Sequence, residues 1–336
     1  LKSKRGRKVL DMTKRISSLF FTLTISLIAF SLYSIPVENS YITATFMEFR
    51  ATGTAPHFHS GVDFSTFLKE GIPIRAAEDG YLVRLEIDKG GIYGMTIVLE
   101  HQDGYRTLYA HLSKFSEKMD KLVSMLQSEF GDQRIEVEFS PDDIKFSKGE
   151  TVGYSGRTGE ATKPHAHFEV RSKDEKILYD PLKFIDKNQL RAVQSGLLLK
   201  SIVIDGKEYP YASSGTYYFS SEHPKIAVEA YTELAKNLLG IKEIKMYFSD
   251  KLVYHIILDE LPMDLWEKPY ELYDEKTVMT SLTYRGFYKL YSTNNLPFVK
   301  VNEVNSYTDS SYKVTIELFD DFGNQGTFTF NLAKQG

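Results

Sequence analysis

The sequence predicts a mainly β protein made of two successive β-rich domains. Short runs rich in β-branched and aromatic residues recur from Tyr41 onward, turns containing glycine separate them, and helical periodicity is confined to one segment. With 336 residues and 42% hydrophobic content, the chain is long enough to bury two cores.

Taken in order, the first element is an export segment. Basic residues from Lys2 to Lys8 and Lys14–Arg15 precede a stretch, 16–37, that carries no charged side chain. Its apolar part, 16–33, falls between a long signal-peptide core and a short membrane span. Residues 1–40 are therefore expected to be a signal peptide, cut after Ser34, or a retained inner-membrane anchor. Either outcome places the protein in the periplasm or cell envelope of a bacterium.

Residues 41–187 read as the first β domain, with strands at 81–85, 96–99, 107–110 and 167–170. Turns are marked by Asp79-Gly80, Gly90-Gly91, Asp103-Gly104 and Gly156-Arg157-Thr158-Gly159. One segment breaks the pattern: Met119, Leu122, Val123, Leu126 and Phe130 follow the spacing of an amphipathic helix, which Gly131 ends. This helical insertion, 116–142, must cover its apolar face. It packs on its own domain or the next, or serves as a lid over a groove or a dock for a regulatory protein.

Residues 188–200 read as a linker. Beyond it, 201–336, seven strands are expected at 201–204, 225–230, 243–248, 252–258, 287–291, 313–319 and 327–331. Alternation of Val314, Ile316 and Leu318 with Thr315 and Glu317 gives one buried face, and Asp320–Asn324 is a hairpin turn. This pattern predicts an immunoglobulin-like or fibronectin-like β-sandwich.

A net charge of −4 offers no electrostatic footprint for nucleic acid, so no such partner is expected. The absence of cysteine excludes disulfides, thiolate ligands and a cysteine nucleophile. Any metal must be held by His, Asp or Glu.

Six of the eight histidines, His57, His59, His101, His111, His165 and His167, fall between 57 and 167. In His59-Ser60-Gly61-Val62-Asp63 an imidazole and a carboxylate can face one point from an extended segment. In His165-Ala166-His167 the strand period puts both imidazoles on one face. His111 closes the run Tyr109-Ala110-His111. His59, Asp63 and one histidine of the later pair would make a three-ligand site with an open fourth position, the arrangement of a catalytic zinc. His57 shares strand spacing with His59 and competes as a ligand. His101, His223 and His255 read as packed or surface histidines.

These segments resemble the lysostaphin and LytM-type zinc peptidoglycan endopeptidases over 45–186. The resemblance rests on Phe58-His59-Ser60-Gly61-Val62-Asp63-Phe64, on Gly71-Ile72-Pro73-Ile74-Arg75-Ala76-Ala77-Glu78-Asp79-Gly80, and on Leu108-Tyr109-Ala110-His111-Leu112-Ser113. It ends with Gly153–Gly159 running to Pro164-His165-Ala166-His167-Phe168-Glu169. It implies a LytM-like antiparallel sheet and one Zn2+ per chain held by His59, Asp63 and His167. It also implies that His111 and His165 are non-ligand catalytic residues sharing water activation and oxyanion stabilisation. The implied function is a secreted zinc endopeptidase hydrolysing peptide crosslinks of peptidoglycan, with its stem peptides as substrate. The alternative is a catalytically silent LytM-fold activator or scaffold for another cell-wall hydrolase; the complete ligand set favours the enzyme. Met95 departs from the family, which often has asparagine there.

Overall fold

The computed structural model describes residues 32–51, 55–88, 90–131, 133–140, 143–280 and 282–335. The expected export stretch up to Ser31 lies outside the described residues. Among these residues no helix is long and apolar enough to cross a membrane. From Leu32 onward the chain is one compact unit.

The protein is mainly β, as predicted. Its central sheet is built from β1 (Ile42–Ala44), β2 (Val62–Ser65), β3 (Gly80–Ile87), β4 (Met95–His101), β5 (Tyr105–Ala110), β6 (Ile135–Glu138) and β7 (His165–Ser172). They lie in the order β1-β2-β7-β5-β4-β3-β6, each pair antiparallel. β4 is buried along its whole length, with Thr96, Glu100 and His101 buried beside its apolar residues. Ile97 and Leu99 face the main core with Leu82, Leu85, Tyr109 and Phe168. Val98 turns the other way, onto Val83, Leu108 and Ala110.

On β7 the period of two sends Ala166, Phe168 and Val170 into the core. His165, His167, Glu169 and Arg171 therefore share the opposite face. Register then does the rest: His167 stands opposite Asp63 on β2 and opposite Ala110 on β5, one residue before His111. Adjacent strands thus set Asp63 and His167 side by side, with His111 just past the end of β5.

Gly61, between His59 and Asp63, is required by close approach. A Cβ there would stand 2.2 Å from the Phe168 carbonyl oxygen and 2.8 Å from Glu169 Cγ. Only glycine lets this segment lie against β7 closely enough to bring both side chains to His167.

A smaller sheet of Pro73–Arg75, Thr151–Ser155 and Leu112–Phe115 flanks the central one. The insertion contains α1 (Asp120–Phe130), closed by Gly131 as expected. Met119 and Leu126 are buried and Leu122 and Val123 pack on the main core, while Met125 and Phe130 remain exposed. Lys118 also pairs with Glu150. The helix therefore covers its own domain. The segment after it returns as β6, the edge strand of the central sheet.

All seven strands expected beyond 200 are present, and others join them. One sheet holds Lys207–Pro210, Ser195–Ile204, Ile226–Leu234 and Asn237–Leu239, with Phe287–Lys289 also paired to Ile226–Leu234. The other runs Thr216–Phe219, Gln325–Lys334, Ser311–Phe319, Glu243–Phe248, Lys251–Ile257, Val299–Asn302. Its first pair is parallel. The linker is shorter than 188–200, because pairing with Ile226–Leu234 draws the chain into a strand from Ser195.

The two halves are joined through their backbones. Ile177–Tyr179 pairs with β7 on one side and with Glu260–Pro262 on the other, and Leu178 and Leu261 share the core. At the other end, Tyr33 is 2% exposed, bridges to Ile185, and donates its hydroxyl to Asp103 at 2.8 Å. A cut after Ser34 would strip this buried ring from the fold.

Candidate metal centre and active-site groove

His59, Asp63 and His167 converge. His59 Nε2 lies 3.1 Å from Asp63 Oδ1 and 3.1 Å from His167 Nδ1, and His167 Nδ1 lies 2.9 Å from Asp63 Oδ1. A tetrahedral zinc with Zn–N near 2.0–2.1 Å separates its ligand atoms by roughly 3.3 Å, so three donors at these spacings fit such an ion. The donor set, two imidazoles and a carboxylate, also suits it.

The remaining ring nitrogens explain why these atoms face inward. His59 Nδ1 bonds the Thr45 carbonyl oxygen at 2.8 Å, and His167 Nε2 bonds Glu169 Oε1 at 2.9 Å. A carbonyl or carboxylate oxygen can only accept, so these nitrogens carry protons, and the opposite ones are the atoms left to face a metal. Glu169 is fully buried and also accepts from Ser60 Oγ at 2.5 Å and Arg171 Nε at 2.5 Å. Burial alone would raise its carboxyl, but Arg171 and His167 outweigh that and hold it well below the usual range.

The same balance governs the ligands. Burial would raise Asp63, yet His59, His165 and the hydrogen bond from His167 hold it well below an ordinary carboxylate. Burial lowers His59. For His167 burial also acts downward, but hydrogen bonds with Asp63 and Glu169 lift it to about 9. Arg50 adds charge nearby: it pairs with Glu48 at 2.9 Å and comes within 4.0 Å of Asp63.

His111 and His165 stand beside this triad as expected. Their ring centroids are 4.7 Å apart, and His111 is 5.6 Å from His167. His165 Nε2 lies 3.6 Å from Asp63 Oδ1. His111 Nδ1 bonds the Thr158 carbonyl and His165 Nδ1 that of Lys163, at 2.9 and 2.8 Å. Both are thereby fixed with Nε2 as the free acceptor. His111 is pushed down to about 3 by burial and by neighbouring His165 and His167, so it is neutral at neutral pH. Its backbone adopts φ 59°, a left-handed conformation uncommon for histidine. Such strain clusters at functional positions.

His57 is not in the triad; its Nδ1 bonds the Ala55 carbonyl oxygen and its ring packs on Trp266. His101 is structural, bonding Asp79 O and Thr107 Oγ1. A groove of about 790 Å3 contains all five site residues. Among the described residues, none of 116–142 lines it.

Residues 57–127 match the model of Peptidase family M23, a span containing His59, Asp63 and His111. The chain is 33% identical over 113 residues to the DD-carboxypeptidase/endopeptidase Mpg of Neisseria meningitidis, covering 34% of this chain and 20% of that protein. It is 34% identical over 131 residues to the glycyl-glycine endopeptidase ALE-1 of Staphylococcus capitis, covering 38% and 29%. The match thus spans about a fifth to under a third of these relatives' lengths. Among solved structures, the catalytic domain of lysostaphin from Staphylococcus simulans is similar at 27% identity and TM-score 0.31, covering 44% of this chain and 92% of that one. The likeness read from the motifs also holds in sequence: lysostaphin of Staphylococcus simulans is 29% identical over 129 residues, covering 38% of this chain and 21% of that protein.

Sequence reasoning left Glu169 and Arg171 without a role in this M23 site. The two-residue period that paired His165 with His167 extends to both, and would have found them. The carbonyls of Thr45, Thr158 and Lys163 have no side-chain signature.

Proposed function

We propose that this chain is an exported, zinc-dependent endopeptidase that hydrolyses peptide crosslinks of bacterial peptidoglycan. The carrying observation is that three converging donors and two further imidazoles, each with its outer nitrogen fixed by a protein acceptor, surround one point in an open groove. Two similar proteins are named endopeptidases, and a third, ShyB of Vibrio cholerae, a peptidoglycan DD-endopeptidase, which supports peptide bonds of the wall as the target. The basic and then uncharged amino-terminal stretch supports export.

The roles follow from the atoms. His59 Nε2, Asp63 Oδ1 and His167 Nδ1 would hold zinc, which when bound polarises the scissile carbonyl and makes water a stronger acid. His111, neutral and with Nε2 unprotonated, accepts the proton of the attacking water or returns one to the leaving amine. His165 Nε2 faces the same point, and the two histidines share proton transfer and stabilisation of the developing oxyanion. Thr158 and Lys163 keep both rings in the productive tautomer.

Incubating the full chain with defined muropeptides, with zinc or with chelator, and reading products by mass spectrometry tests this. Zinc-dependent loss of a peptide crosslink is expected. Intact muropeptides in the zinc-loaded sample overturn the assignment.

A further inference from the structure

The groove is not built by the M23 region alone. Leu238, Trp266, Met279 and Tyr284 line it from the second half of the chain, together with the five site residues. We propose that these four side chains form the substrate wall of the site, holding the apolar face of an extended peptide with small side chains such as alanine. This rests on the peptidase reading of the metal centre and names which part of the molecule recognises the chain to be cut.

Three observations place this wall. The Trp266 ring packs on His57 with centroids 4.7 Å apart, and the Phe58 N–H donates to the Trp266 carbonyl oxygen at 2.9 Å. The indole therefore abuts the segment that delivers His59. Trp266 is also rigidly carried, since it follows Glu260–Pro262, the strand that joins the central sheet through Ile177–Tyr179. Met279 and Tyr284 stand directly opposite each other on the hairpin of Val278–Met279 and Tyr284–Arg285. Its base is anchored where Arg285 meets Glu208 and Glu229, both at 2.6 Å.

The chemistry of the wall selects the occupant. An indole, a thioether, a phenol ring and a leucine, all only partly buried, present apolar surface continuous with the metal site. Such a surface favours methyl groups and peptide planes laid flat against it. Trp266 is half-buried, so part of its ring faces the groove. A glycan strand, which also stacks on aromatic rings, is disfavoured because the wall touches the ligand segment itself, where the peptide must lie.

The protein has a single tryptophan, so its emission reports this wall alone. The full chain, freed of metal by chelator, would be titrated with the stem pentapeptide L-Ala–D-Glu–L-Lys–D-Ala–D-Ala and, separately, with the N-acetylglucosamine–N-acetylmuramic acid disaccharide. A saturable emission shift with the peptide and none with the disaccharide is expected. In the zinc-loaded enzyme Trp266→Ala should raise KM at least about fivefold while kcat stays within about twofold, the signature of lost uniform binding. Trp266→Phe, which keeps an aromatic ring and guards against misfolding, should fall between. Emission unmoved by the peptide, a shift with the disaccharide instead, or an unchanged KM in both variants overturns the wall. A saturable peptide shift in a protein whose zinc-loaded form cuts nothing removes the peptidase reading and leaves the wall standing.

Discussion

Replacing Glu169 separates its two tasks. The buried carboxylate accepts from His167 and Ser60 through Oε1, and from Arg171 through Oε2. Glu169→Ala removes all three bonds and leaves Arg171 with Glu175, 2.7 Å away, as its remaining carboxylate partner. Breaking one side of a buried charge pair costs about 3–5 kcal/mol. Loss of the group that orients a ligating histidine weakens metal binding roughly 10- to 100-fold. Glu169→Gln keeps an acceptor for His167 but turns an amide NH2 toward the Arg171 N–H, so it should lose stability as well. Its metal affinity should stay within a few-fold of the parent. Chemical denaturation gives the first quantity and competition with a chromogenic zinc chelator the second. If the alanine variant binds zinc as tightly as the parent, or both variants lose affinity equally, the orienting role of Glu169 is wrong.

Further outcomes follow from other contacts. Gly61→Ala forces a Cβ onto the Phe168 carbonyl and should cost about 1–3 kcal/mol along with metal occupancy; a parental melting temperature would contradict the close approach. Glu175 pairs with Arg84, Arg106 and Arg171, and although burial acts upward, Arg84 and Arg171 draw it down to about 2. A carboxyl lowered on folding adds stability above its unfolded pKa of about 4.3 and loses it as pH falls toward about 2, here on the order of 3 kcal/mol. Denaturation midpoints should fall across that window, and less steeply in Glu175→Gln; an equal fall in both would remove Glu175 as a cause. Tyr33→Ala should cost about 3 kcal/mol or more, since it empties a fully enclosed ring site; an unchanged melting temperature would mean the segment before Ile35 is dispensable.

Much of this was legible in the residues, for identifiable reasons. The strand at β4 announces itself by the β-rich run Thr96-Ile97-Val98-Leu99 between glycine-marked turns, and the helix α1 by five apolar positions and a terminal glycine. The alternation over Lys313–Phe319 gave its strand and its buried face. Lys207–Pro210 and Thr216–Phe219 escaped notice because they are short edge strands, stabilised by their partners rather than by their own pattern. The connector at 188–200 was overdrawn for the same reason: Ser195 and Gly196 look like loop residues until Ile226–Leu234 pairs with them. At the site, spacing alone made His59, Asp63 and the His165–His167 pair candidates, and motif order chose among them. What spacing could not reveal was the wall, because Trp266 reaches His57 across more than 200 residues of chain and only the folded backbone brings them together.

Metal content per chain across five alanine variants tests the central claim most directly. The parent, His111→Ala and His165→Ala should each hold about one zinc, while His59→Ala, Asp63→Ala and His167→Ala should hold far less, since three ligands leave little redundancy. Full occupancy in all three of the latter would contradict the centre described above.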